Sequence, residues 1–192
     1  MRLATRTDAR AIAAMLGRAF QDDPAFSYIF PDPHTRARQL PKLFALLYDS
    51  DGRAGLRLVS EGLEATTLWR APGRAIVGWG EILRHAVPFL GALGTALPRA
   101  LAVSGAIEAQ MPSGAFWYLQ IAGCDPAHQG KGWGRQALVA GLERAAGRLP
   151  CYLETATERN LGFYASLGFA VTGEWRVGRD GPQFWSMLRP AG

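Results

Sequence analysis

The sequence predicts one α+β domain, 1–192, built on a mixed sheet (mixed-sheet α/β), and three observations carry that prediction. Its 192 residues and 48% hydrophobic content suit one core of its own, without a linker, a repeat or a low-complexity tract. Strand-like and helix-like runs interleave along the chain, and the last two strand-like runs are joined by a short turn, which makes them an antiparallel pair. Finally, Phe116 to Leu138 reads as a strand that breaks into a glycine-rich turn and re-forms as a helix.

The elements follow in order. Arg2 to Thr5 is a brief strand, and a helix runs from Thr7 or Asp8, either of which can cap it, to Phe20, with Ile12, Met15, Leu16 and Ala19 inward. Gln21 to Pro33 is an acidic and aromatic loop holding Asp22, Asp23, Phe26, Tyr28 and Phe30. Thr35 to Tyr48 is helical with Leu40, Leu43, Phe44 and Leu47 inward, and Pro41 near its start delays or kinks it. Leu56 to Ser60 and Leu63 to Trp69 form a hairpin across Glu61-Gly62. Trp79 to Leu93 and Thr95 to Gln110 are helices of an insertion, 76–112, whose apolar character suits buried helices that shape a binding pocket, a subunit interface or an amphipathic membrane contact, the first being the expectation.

Phe116 to Ala122 is a buried strand ended by Asp125 and Pro126, because proline donates no amide and holds its predecessor extended. Trp133, Ala137, Leu138, Gly141, Leu142 and Ala145 then recur at helical spacing. Pro150 to Thr155 is a strand, and a helix through Asn160, Phe163, Tyr164 and Leu167 closes on Gly168. Phe169 to Trp175 and Gln183 to Leu188 end the sheet.

The turn supplies the chemistry. Gly130, Gly132 and Gly134 alternate with Lys131 and Trp133, so the backbone can approach a ligand closely. The first helical turn beyond carries amides without intrahelical acceptors, which suits an anion such as a pyrophosphate, with Lys131 as an added cation. A Walker loop is excluded, since Gly130-Lys131 is followed by Gly132 and not Ser or Thr. A dinucleotide-type turn is a rival: Gly132 to Ala137 reads G-x-G-x-x-A, with Glu154 about twenty residues on. Against it, Cys124 to Gln129 separate strand from glycines, and too little chain follows for a doubly wound sheet. A glycine turn that binds nothing is the bland alternative.

Composition narrows the function. The formal charge is +5, and all the basic residues except Lys42 and Lys131 are arginines scattered without runs, which speaks against nucleic acid and favours an anionic cofactor. Cys124 and Cys151 read as packed apolar thiols, and no His/Cys/carboxylate spacing suits a metal; His128 is a loop residue. Met1 to Arg10 has no apolar segment of a signal peptide, so the expected home is the cytoplasm. Ala86 to Pro98, the longest stretch without charge or histidine, is 13 residues, too short for a bilayer, so no membrane role is expected.

Gln129, Gly132 and Gly134 match the Gln/Arg-x-x-Gly-x-Gly/Ala loop of the GNAT-type N-acetyltransferases, and the chain resembles that superfamily. Within it the resemblance is to puromycin N-acetyltransferase and its bacterial relatives, through Arg2 to Arg6, Asp125 to Gly134, Leu153 to Thr155, Arg159 to Phe169 and Trp185. It implies a mostly antiparallel sheet of about six to seven strands, splayed between the fourth and fifth. Acetyl-CoA is the implied cosubstrate and a small-molecule amine the acceptor, possible examples being aminonucleoside antibiotics, with the protein a monomer or homodimer. By resemblance, Ala122, Gly123 and Cys124 pair with the pantetheine arm and the thioester carbonyl, Gln129 to Arg135 (Gly130, Lys131, Gly132, Trp133 and Gly134 between them) cradle the pyrophosphate, and Asn160 bonds the arm. Gly123 departs from the bulkier residues common there and is expected to leave room or a bulge beside the thioester.

Tyr164 is the implied general acid, donating to the departing thiolate, with Phe163 beside it as the core residue. Glu154, in the Leu-Glu-Thr segment, is the candidate base, with Asp22, Asp23, Glu81 and Glu108 as alternatives, and no base is needed if the amine arrives neutral. The resemblance also implies that the first helix and the loop after it wall the acceptor site, through Asp23, Phe26 and Tyr28, with Trp185 from the last strand. Two other functions fit the same turn: a non-catalytic acyl-CoA-binding or sensing domain, and a small dinucleotide-dependent oxidoreductase.

Overall fold

A computed structural model describes residues 1–76, 79–145 and 149–192, with the backbone alone for 79–85. Its strands are β1 (Arg2–Leu3), β2 (Gly55–Val59), β3 (Ala65–Arg70), β4 (Trp117–Cys124), β5 (Cys151–Thr155), β6 (Ala170–Arg176) and β7 (Gln183–Arg189). They form one sheet in the order β1-β2-β3-β4-β5-β7-β6, antiparallel throughout except for β4 beside β5. A doubly wound dinucleotide fold needs consecutive parallel strands, so the oxidoreductase reading falls here.

The helices are α1 (Ala9–Ala19), α2 (Pro24–Ile29), α3 (Pro33–Ala54), α4 (Trp79–Leu93), α5 (Leu97–Gln110), α6 (Trp133–Ala145) and α7 (Leu161–Ala165). They cover both faces of the sheet. On one, α1 and α3 bury Ile12, Leu16, Leu40 and Phe44 against Leu68 of β3 and Ile121 of β4. On the other, Leu138 and Leu142 of α6 and Tyr164 of α7 pack on Trp69, Leu119, Leu153 and Met187.

Three elements differ from the sequence reading. The acidic and aromatic loop contains α2, because Asp23 caps the amides of Ala25 (2.9 Å) and Phe26 (3.2 Å) and Pro24 occupies the first helical position. The same device, Asp32 bonded to the Thr35 amide at 2.7 Å with Pro33 next, starts α3 before Thr35 and keeps Pro41 inside the helix. Asp8 does not cap α1. A single 3₁₀ turn at Arg6–Asp8 precedes that helix, and the Asp8 carboxylate turns back to the Thr5 amide (2.7 Å), the Thr5 hydroxyl (2.9 Å) and both Nη atoms of Arg2 (2.7 Å each).

The insertion folds as the two expected helices, with Val77 and Gly78 outside the described residues. Its segment Ala86–Gln110 spans 25 residues and is long and apolar enough, by length and composition, to cross a bilayer, which corrects the 13-residue limit. It is not a straight span: Gly94 sits at φ +50°, in the left-handed region, and a 3₁₀ turn follows. Beyond that bend Ala96 and Val103 are buried with the residues of α1 and α3.

The Arg2 guanidinium holds the Asp8 carboxyl well below the usual carboxylate range. A group depressed in the folded state contributes stability above its unfolded value and loses it on acidification. Asp8→Asn should therefore lower the melting temperature at pH 7, and the gap to the wild type should shrink as pH falls below the ordinary carboxylate range, as thermal melts across pH would record.

Candidate active site

The site begins where two strands part. β4 and β5 pair only through Trp117 with Cys151 and Tyr118 with Tyr152, although β4 continues to Cys124 and β5 to Thr155. Beyond that point lies a cleft of about 1010 Å³. Its walls come from the ends of β3 and β4 (Thr66, Thr67, Ala122, Gly123, Cys124), the glycine loop, α7 and the α1–α2 junction.

The loop is rigidly built at its base. Asp125 donates its amide to the Glu64 carbonyl at 2.8 Å, accepts the Ala127 amide at 3.0 Å and forms a close ion pair with Arg18 of α1. Gly130 and Gly132 take φ values of 75° and 82°, which side chains resist, and a Cβ there or at Gly134 would meet nothing within 4 Å. An open cradle therefore faces the first turn of α6, whose amides precede the first intrahelical acceptor. With Arg18, Arg135 and Arg159 on the walls, it fits an anionic pyrophosphate. Gln129 lines the cleft and reaches the Cys124 carbonyl at 3.4 Å, and Trp133 lines it at the start of α6. Arg135 donates to Ser166 Oγ at 3.0 Å. Lys131 is not on the cleft wall: its ammonium group turns back to the Ala127 carbonyl at 3.2 Å.

Ala122, Gly123 and Cys124 all reach the cleft, but the room expected beside Gly123 is taken. A Cβ at Gly123 would lie 2.3 Å from Leu16 Cδ2 and 3.3 Å from Phe20 Cε2, so glycine is there because α1 packs on the strand. The bulge in β4 lies at Gln120 instead, where pairing with β3 jumps from Leu68–Ile121 to Trp69–Leu119.

Tyr164 and Phe163 exchange their expected environments. Tyr164 is 8% exposed, packed on Phe169, whereas Phe163 is 36% exposed at the rim; both line the cleft. Burial, with a smaller contribution from the Asp23 charge, pushes the Tyr164 phenol up to about 12, so it stays protonated at neutral pH. Asn160 lines the cleft one turn earlier, its amide 3.5 Å from Thr155 Oγ1.

Phe20, Asp22, Asp23 and Trp185 also line the cleft. Burial raises the Asp23 carboxyl against the lowering effect of its two capping amides. Phe26 and Tyr28 do not line the cleft. Phe26 packs on Phe20 and Phe44 with ring centroids 5.5 and 5.2 Å away, and Tyr28 packs on the same core. The sequence missed Phe20 as a wall residue because its spacing marks only the end of a helix. Thr66 and Thr67, buried on β3, carry no motif at all.

Glu154 stands apart from the cleft wall. Its Oε2 accepts from the Tyr118 hydroxyl at 2.9 Å, and its buried Oε1 has no partner among the described residues. Burial pushes the Glu154 carboxyl up to about 8, against the nearby hydroxyls of Tyr118 and Tyr152, which favour its charge. The side chain of Glu81, a further base candidate, lies outside the described residues. Cys151 is buried, its thiol raised to about 11, and Cys124 is half-buried; both are free. Among the described residues no group of His, Cys, Asp and Glu could hold a metal ion.

A sheet splayed at its one parallel pair, with a glycine cradle at a helix start and a protonated tyrosine opposite, defines an acyl-CoA-dependent acyltransferase. The model of the acetyltransferase (GNAT) family matches residues 64–169, more than half of the chain, so the chain belongs to that family and acetyl-CoA is its cosubstrate. Among solved structures it is similar to the histone acetyltransferase HPA2 and related acetyltransferase of Corynebacterium glutamicum, at 26% identity and a TM-score of 0.75, covering 100% of this chain and 95% of that one. It also resembles in fold arylalkylamine N-acetyltransferase 2 of Aedes aegypti (12% identity, TM-score 0.59, coverage 100% and 98%). The Salmonella typhimurium protein yncA, solved with its cofactor acetyl-CoA, shares the fold too (18% identity, TM-score 0.56, coverage 100% and 92%).

A carboxyl raised by burial binds its proton more tightly folded than unfolded, so it makes stability fall as pH rises from the unfolded value of 4.5 toward about 8. The wild type should melt lower near the top of that window than near its bottom. Glu154→Gln should remove most of the difference, as melts at both ends of the window would show.

Proposed function

We propose that this N-acetyltransferase moves the acetyl group to the primary amine of a small molecule by direct attack in a ternary complex. The observation that carries it is the meeting in one cleft of the loop cradle, the protonated Tyr164 and the capped carboxylate Asp23. Acetyl-CoA, when bound, supplies an activated thioester carbonyl. Backbone groups of Ala122 to Cys124, left without β5 partners, are suited to hold the pantetheine arm and polarise that carbonyl. The amides of the glycine loop would hold the pyrophosphate, and Asn160 would steady the arm. The C–N bond forms as the C–S bond breaks, the amine gives up a proton, and the Tyr164 hydroxyl donates one to the leaving sulfur.

Asp23 is our choice for holding the ammonium group and accepting its proton, since it borders the cleft and Glu154 does not. Phe20 and Trp185 beside it would flank the organic part of the acceptor. An aminonucleoside such as puromycin is the acceptor we test first, on the strength of the motifs shared from Asp125 to Phe169. The free thiols of Cys124 and Cys151 support a reducing, cytoplasmic setting.

Release of free thiol from acetyl-CoA, with a panel of small amines that includes puromycin, tests the reading. Amine-dependent release supports it, and turnover of other amines with none of puromycin removes the antibiotic. Acetyl-CoA binding without release by any amine would instead favour a sensing domain. Tyr164→Phe should lower kcat by about 100-fold with little change in the KM of acetyl-CoA. Asp23→Asn should raise the KM of the acceptor by about tenfold or more and also lower kcat, since both the ammonium contact and the proton acceptor are lost.

A further inference from the structure

The cleft exists because β4 turns away from β5, and one side chain sits where it turns. Gln120 is the extra residue of the β4 bulge. The end of its side-chain amide lies 2.6 Å from Oδ1 and 3.1 Å from Oδ2 of Asp51 of α3, and since a carboxylate only accepts, we assign the amide nitrogen to that position as the donor. Asp51 is 0% exposed and Arg70 of β3 is 1% exposed, and the Arg70 Nη1 lies 3.1 Å from Asp51 Oδ1. Arg70 also donates to Ser50 Oγ at 3.0 Å and, through Nε, to the Arg74 carbonyl at 2.6 Å, at the root of the helical insertion.

Such a buried pair gains little net stability, because desolvating two charges consumes most of their attraction. A best-attested use of such groups is to fix register, and register is what is at stake here. With the bulge, Ile121 follows Gln120 onto the α1–α3 face, Ala122 turns to the α6 face and Gly123 returns beneath Leu16. Without it the strand slips by one residue from that point on. Every later side chain then changes face, and Ala122 would be driven into the space that only Gly123 fits. Pairing of β4 with β5 stops at Tyr118, two positions before the bulge.

We propose that Gln120 is a positioning residue for acetyl-CoA: its amide, anchored on the Asp51–Arg70 pair, holds the bulge that turns the backbone of Ala122 to Cys124 into the cleft. Gln120 does not itself line the cleft, so its effect on the cosubstrate is transmitted through the strand. The inference rests on acetyl-CoA occupying the splay between β4 and β5.

Two variants test it, with the Kd and KM of acetyl-CoA and the melting temperature measured together. Gln120→Met keeps length and volume but loses the donor. It should stay folded yet raise the Kd and KM of acetyl-CoA by about tenfold or more, because small misplacements of reacting groups are costly. A folded Gln120→Met protein with both constants within about twofold of wild type would overturn the proposal, whatever its melting temperature. Gln120→Glu offers a check within one protein. A protonated carboxyl still donates to Asp51 and an ionised one is repelled by it; among the described residues Arg70 and Tyr118 also face this cluster. Its KM should lie within about threefold of wild type near pH 6 and rise at least about tenfold above it near pH 9. A pH-independent ratio would count against the anchor even if the Met variant failed to fold. Should the wild type itself not bind acetyl-CoA, the placement of the cosubstrate fails first, and Gln120 loses its role with it.

Discussion

Everything functional in this molecule depends on a hydrogen-bond ladder that stops early. β4 and β5 share two residue pairs and then diverge, so the distal halves of the two strands face the gap without backbone pairing to each other. Unpaired backbone inside a fold is costly unless water or a ligand takes it up, and the two amides of the acetyl-CoA arm we propose to seat here are suited to do so. The fold keeps the rest of the sheet continuous around this gap: β3 pairs with β4 along its whole length, and β7 does the same for β5. The gap is therefore a local feature held open by rigid flanks.

The polar groups near the gap form two layers. Facing the cleft are Tyr164, buried enough to stay protonated, and Asp23, whose carboxyl burial raises and whose capping amides hold in place. Behind β4 and β5 lies a second layer, in which Tyr118 binds Glu154, and Ser186 Oγ meets both the Tyr152 hydroxyl (2.9 Å) and the Trp175 indole N–H (2.9 Å). These side chains all lie on strands β4 to β7 at or beyond the point of divergence. The network ties together strands whose backbones no longer bond directly, so it supports the geometry of the cleft without touching it. Glu154 belongs to this layer, which sets it apart from the residues that line the cleft.

The cradle was legible in the sequence because it is made of consecutive residues. Gly130, Gly132 and the start of α6 at Trp133 act through backbone conformation, and that is encoded by the local absence of side chains. Tyr164 was legible for a similar reason, through the segment that surrounds it. The acceptor wall was harder. Asp23-Pro24 and Asp32-Pro33 are both cap-and-proline starts, and seen that way they would have predicted α2 and the true beginning of α3. With α2 formed, Phe26 turns into the core, and Phe20 takes the wall position instead.

The sequence by itself determined the class of fold, the glycine turn ahead of α6, the order of nearly all the elements and the family to which they belong, since each of these rests on spacing within a short window. Only the tertiary structure decided which face each cleft residue presents. That choice hangs on a one-residue bulge at Gln120, pinned by Asp51 and Arg70 from two distant elements, and on α1 lying over Gly123. A period of two tells which residues of a strand share a face, but not where the count is interrupted. The interruption is set by contacts between residues far apart in the chain, and no local pattern records them.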